Sequence, residues 1–141
     1  MHLFVYGTLL TVADHPMGRK LHEAADFVGS GWIRACLYHI EDPEEPGNRY
    51  PGAVPSGYDD DRVYGELYAL HDAEALLPAF DRYEACDPSR PEPHEFQRRE
   101  IPVTLEDARV IPAVSYLYAW DLSRAARIPS GRITEAMPSA R

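Results

Sequence analysis

Positive charge is scarce in this chain. Its 141 residues carry 14 Lys and Arg against 23 Asp and Glu, a formal net charge of -9. That balance excludes a protein that grips a phosphate backbone, which needs a basic footprint, and it sets the expectation of no nucleic-acid partner. No apolar run approaches the ~20 residues of a membrane-spanning helix, so no membrane partner is expected either. The first apolar stretch has no basic flank and stops by Asp14, so it does not read as a secretory signal. Cysteine is nearly absent. Cys36 and Cys86 form no CxxC pair and read as two free thiols of a reducing, cytoplasmic setting.

Motifs are missing too. The chain has no phosphate loop, no GxGxxG, no HExxH and no GxSxG. His15 and His22 share a predicted helix face but have no carboxylate placed to complete a metal site. Asp59-Asp60-Asp61 is a charged turn rather than a calcium loop, whose ligands spread over about twelve residues. The expectation is therefore no metal and no cofactor.

Turn formers, by contrast, are plentiful: 13 Pro and 9 Gly imply many short elements. Residues 2–6 read as a central strand, apolar on both faces and ended by Gly7. Residues 16–26 suggest a short helix. "DFVGSGWIRACLYHI" reads as one or two strands with a Gly-Ser-Gly bend, and "NRYPGAVPSG" as turns around a short extended piece. "RVYGELYAL" alternates as a strand. Leu76, Leu77, Phe80 and Tyr83 then fall at helical spacing behind Asp72, a candidate N-cap. Pro78 should make that helix start late or kink. "FQRREIPVTL" and "ARVIPAVSYLYAW" read as a hairpin through "LEDAR". Strands clustered rather than alternating with helices indicate an α+β fold, barrel-like or a strongly twisted mixed sheet. One domain is expected over 1–126, with 127–141 a C-terminal tail lacking periodicity.

Two places are suited to chemistry. At Tyr6-Gly7-Thr8, glycine permits a bend whose successive N–H groups can face a cavity as an oxyanion site; a plain tight turn explains the tripeptide as well. In "FDRYEA", Asp81 and Glu84 lie three apart on one side of a helix, beside Phe80 and Tyr83. A carboxylate against apolar rings has its pKa raised and becomes a usable proton shuttle; an ordinary surface Glu explains the position as well.

Taken in order, "FVYGTL", "GWIRACLY", "YPGAVP", "VYGELYAL", "FDRYEACDP", "FQRREIPVTL" and "AVSYLYAW" resemble the γ-glutamylcyclotransferase-like family, in its short bacterial and plant form. The resemblance spans residues 3 to about 120. It implies a small closed or nearly closed mixed β-barrel with a few flanking helices. It implies a lyase or transferase chemistry in which a small γ-glutamyl amide is cleaved to 5-oxoproline and a free amine or amino acid, without cofactor. It places Glu84 at the general acid/base and Tyr6, Gly7, Thr8 and Leu9 at the substrate-binding loop. Tyr50 and Tyr118 are added as candidate substrate-binding residues. The chain departs from the family at Ala85, where many members have Gly, and at Phe96, where many have Tyr. These departures support an alternative, a binding module of the same fold with altered catalysis.

Overall fold

The computed structural model describes residues 1–7, 16–84 and 86–133. Among these, seven strands and two helices run in the order β1 (His2–Val5), α1 (Pro16–Ala24), β2 (Ala25–Glu41), β3 (Arg49–Pro55), β4 (Arg62–Leu70), α2 (Ala73–Tyr83), β5 (Phe96–Leu105), β6 (Val110–Tyr118) and β7 (Ala125–Ile128).

Five strands close a mixed barrel. β1 pairs antiparallel with β4 and parallel with β6; β6 pairs with β5; and β5 returns to β2 at Gly31↔Leu105 and Trp32↔Thr104, while β2 also pairs with β4. The expected α+β barrel is thus closed. β2 reads as one 17-residue strand, with a bulge between Phe27 and Gly29 in place of a full break. Its first half belongs to the barrel. Its second half carries β3 on one side and β7 on the other.

The doubly apolar β1 has a packing reason. Phe4 and Tyr6 join residues from all five barrel strands, such as Ile33, Leu67, Val103 and Leu117, in the barrel interior. Leu3 and Val5 point the other way, into a second core where Met17 and Leu21 of α1 and Leu76, Leu77 and Phe80 of α2 cover the barrel wall. A strand buried on both faces loses the polar alternation of a half-exposed one. Tyr68 and Leu70 of β4 belong to the outer core, whereas Val63 and Leu67 fill the interior.

α2 starts where its cap predicts: the Asp72 carboxylate accepts from the Ala75 N–H at 3.3 Å. Pro78 does not delay it: the helix begins at Ala73 and runs through Pro78 to Tyr83, so the late start that the sequence suggested does not occur. Proline removes the N–H that would reach the Glu74 carbonyl. Pro78 and Glu74 both lie on the exposed face, so the lost bond falls on the solvent side and the buried stripe stays intact.

The C-terminal reading needs one correction. Arg127 and Ile128, expected to begin a coil tail, complete β7 against Tyr38 and Leu37 of β2. Gly131 then accepts from the Tyr64 N–H at 2.9 Å. Four residues held by a strand almost ninety positions earlier show no periodicity of their own.

Within the barrel, strands approach closely at the paired glycines Gly31 and Gly65. A Cβ on Gly65 would stand 2.2 Å from the Val5 carbonyl oxygen, and one on Gly31 would stand 2.4 Å from that of Thr104. Both neighbours are backbone and cannot swing aside. Gly65→Ala is expected to destabilise the chain by about 3 kcal/mol, the upper end of overpacking costs, read as a lowered urea midpoint.

Candidate active site

The last turn of α2 carries the acidic pair, and the two carboxylates have different surroundings. Glu84 follows the final helical residue, with its N–H bonded to the Phe80 carbonyl at 2.9 Å, and it is only 8% exposed. It is the one carboxylate among the described residues to be classed with the buried side chains. Asp81, one turn earlier, is tied outward. Its Oδ1 accepts from the Tyr116 hydroxyl of β6 at 2.7 Å, and Arg98 Nη1 of β5 reaches Oδ1 at 3.2 Å and Oδ2 at 3.1 Å. The Asp81 carbonyl accepts from the Cys86 N–H at 2.9 Å, which folds the chain back after the helix. Burial, then the Asp81 carboxylate, pushes the Tyr116 hydroxyl far above the usual tyrosine range, so it remains a donor. Burial, then the charges of Asp81 and Glu84, pushes the Cys86 thiol up to about 11.

Tyr6 is buried in the barrel interior. Its hydroxyl donates to the Tyr116 carbonyl at 2.5 Å and accepts from the Ala53 N–H at 3.1 Å. The side chain therefore braces β6 and β3. Gly7 lies against β3, where a Cβ would sit 3.3 Å from Pro51 Cγ. Thr8, Leu9 and Ala85 lie outside the described residues.

Tyr50 and Tyr118 meet through a third ring. Phe96 packs against Tyr118 with centroids 5.5 Å apart and against Tyr50 at 6.0 Å. All three belong to the core that includes Phe80 of α2, with Tyr83 packed beside it. The Tyr118 hydroxyl donates to the Asp121 carbonyl at 3.1 Å, and the Tyr50 hydroxyl bonds to Glu95. Gly52 stands between Tyr50 and Ala53 and lets β3 approach Tyr118, whose Cβ would lie 3.1 Å from a Cβ there. β3 thus touches Gly7 at one residue and Tyr118 at the next. The structure brings Tyr50, Tyr118 and the end of α2 to one core, and sets Gly7 against the strand that carries Tyr50.

Sequence reasoning passed over the Tyr116–Asp81–Arg98 cluster as a unit. Arg98 makes an ion pair whose partner, Asp81, lies 17 residues away. Asp59-Asp60-Asp61 is a charged turn, with Asp59 paired to Arg34 at 2.6 Å and Asp61 to Arg127 at 3.0 Å. Among the described residues, no three His, Cys, Asp or Glu side chains cluster closely enough to hold a metal ion, and no helix is long and apolar enough to cross a membrane.

A five-strand mixed barrel with two outer strands, two helices and a buried glutamate at a helix end defines the class. The chain belongs to the gamma-glutamyl cyclotransferase, AIG2-like family, whose model matches residues 3–134. Among solved structures it is similar to an AIG2-like protein from Mus musculus, at 24% identity and TM-score 0.61, with 87% of this chain and 80% of that one covered. It is similar to protein ytfP from Escherichia coli at 22% identity and TM-score 0.59, covering 96% and 97%. It is also similar to a gamma-glutamyl cyclotransferase at 15% identity and TM-score 0.60, covering 90% and 69%. These likenesses show the fold. No curated protein sequence matches the chain.

Two measurements check the electrostatics and the bracing. A thiol at about 11 against an ordinary 9.0 holds roughly 10²-fold less thiolate at pH 8, and the more basic thiolate is about tenfold more nucleophilic, so iodoacetamide should modify Cys86 in a Cys36→Ser background about tenfold more slowly than free cysteine. Glu84→Gln should lower the midpoint of that modification, because the Glu84 charge is one cause of the rise. Tyr6→Phe leaves the buried Tyr116 carbonyl and Ala53 N–H short of a partner and should cost about 1–3 kcal/mol in urea unfolding.

Proposed function

We propose that the protein is a γ-glutamylcyclotransferase-type enzyme, releasing 5-oxoproline and a free amine or amino acid from a small γ-glutamyl amide. The observation that carries this reading is the burial of Glu84 at the end of α2, in a chain of this family. Burial and a helix C-terminus each oppose negative charge, so a carboxylate kept there is suited to taking and returning a proton.

The chemistry needs one such group. The substrate's α-ammonium gives a proton to the Glu84 carboxylate. The freed nitrogen attacks the γ-carbonyl carbon, a ring C–N bond forms, and the carbonyl electron pair moves to oxygen. Backbone N–H groups of Tyr6, Gly7, Thr8 and Leu9 are the proposed donors to that oxyanion. As the carbonyl re-forms, the original C–N bond breaks, and the leaving nitrogen takes the proton back from Glu84. The ring nitrogen sheds its second proton through the same carboxylate to the departing amine, which leaves as its ammonium. Nothing is gained or lost beyond the substrate's own atoms, so the reaction asks for no cofactor. Intramolecular attack supplies the proximity that a bimolecular reaction lacks. The aromatic cluster of Tyr50, Phe96 and Tyr118 is proposed as the apolar wall against which the glutamyl chain folds, with the Tyr50 and Tyr118 rings held by their hydroxyl bonds to Glu95 and Asp121.

The test is 5-oxoproline release from a panel of γ-glutamyl amino acids, amines and glutathione. Glu84→Gln keeps the shape and is expected to lower kcat by about 10²–10⁴-fold. Unchanged turnover in that variant would sink the mechanism. The presence of Phe96 where a hydroxyl was expected favours a second reading, a γ-glutamyl-binding module. Its signature is a raised Tm with γ-glutamyl ligands and no 5-oxoproline.

A further inference from the structure

We infer that Asp81 is the positioning residue for Glu84, fixing the last turn of α2 to the barrel wall; this rests on the reading of Glu84 as the proton carrier. Three elements converge on Asp81. β6 contributes the Tyr116 hydroxyl, β5 contributes Arg98, and the chain beyond the helix contributes the Cys86 N–H. Both carboxylate oxygens and the carbonyl are engaged.

The helix needs such an anchor at this end. Pro78 takes one rung out of its hydrogen-bond ladder, five residues from its start and five from its finish. Beyond that point the side chains reaching the strands decide where the last turn sits. Leu77 and Phe80 are apolar and allow sliding, whereas the Tyr116 bond to Asp81 is directional. The ion pair with Arg98 is part-exposed and of small weight alone. It aims the carboxylate so that Oδ1 meets the tyrosine.

Asp81 does not act by charge complementarity. It is negative, as an ionised Glu84 would be, and it sits one turn away. Its contribution is geometric. Tyr116 completes the line, because its carbonyl takes the Tyr6 hydroxyl while its own hydroxyl holds Asp81. The strand residue that precedes Gly7 and the helix turn that carries Glu84 are thus referenced to one residue of β6.

The experiment compares Asp81→Ala, Asp81→Asn and Val63→Ala in the full chain. Val63 is a barrel-interior residue, and its truncation serves as a match for lost stability. Two readouts are taken: kinetics on the γ-glutamyl compound that the wild type turns over best, and the side-chain carboxyl 13C resonance of Glu84, assigned by its loss in Glu84→Gln. Asp81→Ala should lower kcat by about 10²-fold with KM unchanged, as a misplaced catalytic group does. Asp81→Asn keeps an acceptor for Tyr116 and should recover most of that loss. The Glu84 resonance should remain a single line in Asp81→Asn and Val63→Ala, and broaden or split in Asp81→Ala. A single line in Asp81→Ala, or a kcat no lower than that of Val63→Ala, overturns the inference. Full turnover by Glu84→Gln, or no turnover of any γ-glutamyl compound by the wild type, defeats the functional reading instead, and the resonance still decides whether Asp81 holds Glu84.

Discussion

Tyr116 adds a directional link between the barrel and the helical layer to the apolar packing they already share. Its carbonyl receives the Tyr6 hydroxyl, and its own hydroxyl reaches Asp81 of α2. One strand residue therefore braces the end of β1 and the end of α2. Burial keeps that hydroxyl protonated and donating. Most of the core is apolar and defines distance without direction. This hydrogen-bonded line supplies the direction, and the acidic end of α2 takes its place from it.

That acidic end runs against ordinary helix design. Carboxylates are favoured near a helix N-terminus and opposed near its C-terminus. Asp81 is compensated by Arg98 and Tyr116, so its charge is spread over two strands. Glu84 is buried after the final turn. Asp81 is tied to side chains of β5 and β6 and Glu84 is buried, and on the proposed reading the first anchors the turn while the second carries the proton. The raised Cys86 thiol reports the same local field, since both carboxylates contribute to it after burial.

Much of the barrel was legible because its signals are local. The apolar faces of β1, the Asp72 cap and the "LEDAR" turn each act within a few residues. The turn closes with Leu105 N–H to the Arg109 carbonyl at 2.8 Å and the Ala108 N–H to the Leu105 carbonyl at 2.9 Å. What stayed hidden depends on distant partners. β7 exists because β2 overshoots the barrel and offers a free edge. Pro78 raised the expectation of a late start or a kink because sequence alone does not say that its face is exposed. At the site, the acidic pair and the family pattern were visible. The Tyr6 side chain's bracing role was not, because its partners lie 110 and 47 residues away.

The central claim is intramolecular ring closure assisted by Glu84. Running the reaction in water enriched in 18O tests it directly. Cyclisation takes no oxygen from solvent, so the account predicts unlabelled 5-oxoproline as the first product. Glutamate carrying 18O, formed ahead of any 5-oxoproline, would mean that water attacks the γ-carbonyl and would contradict the account.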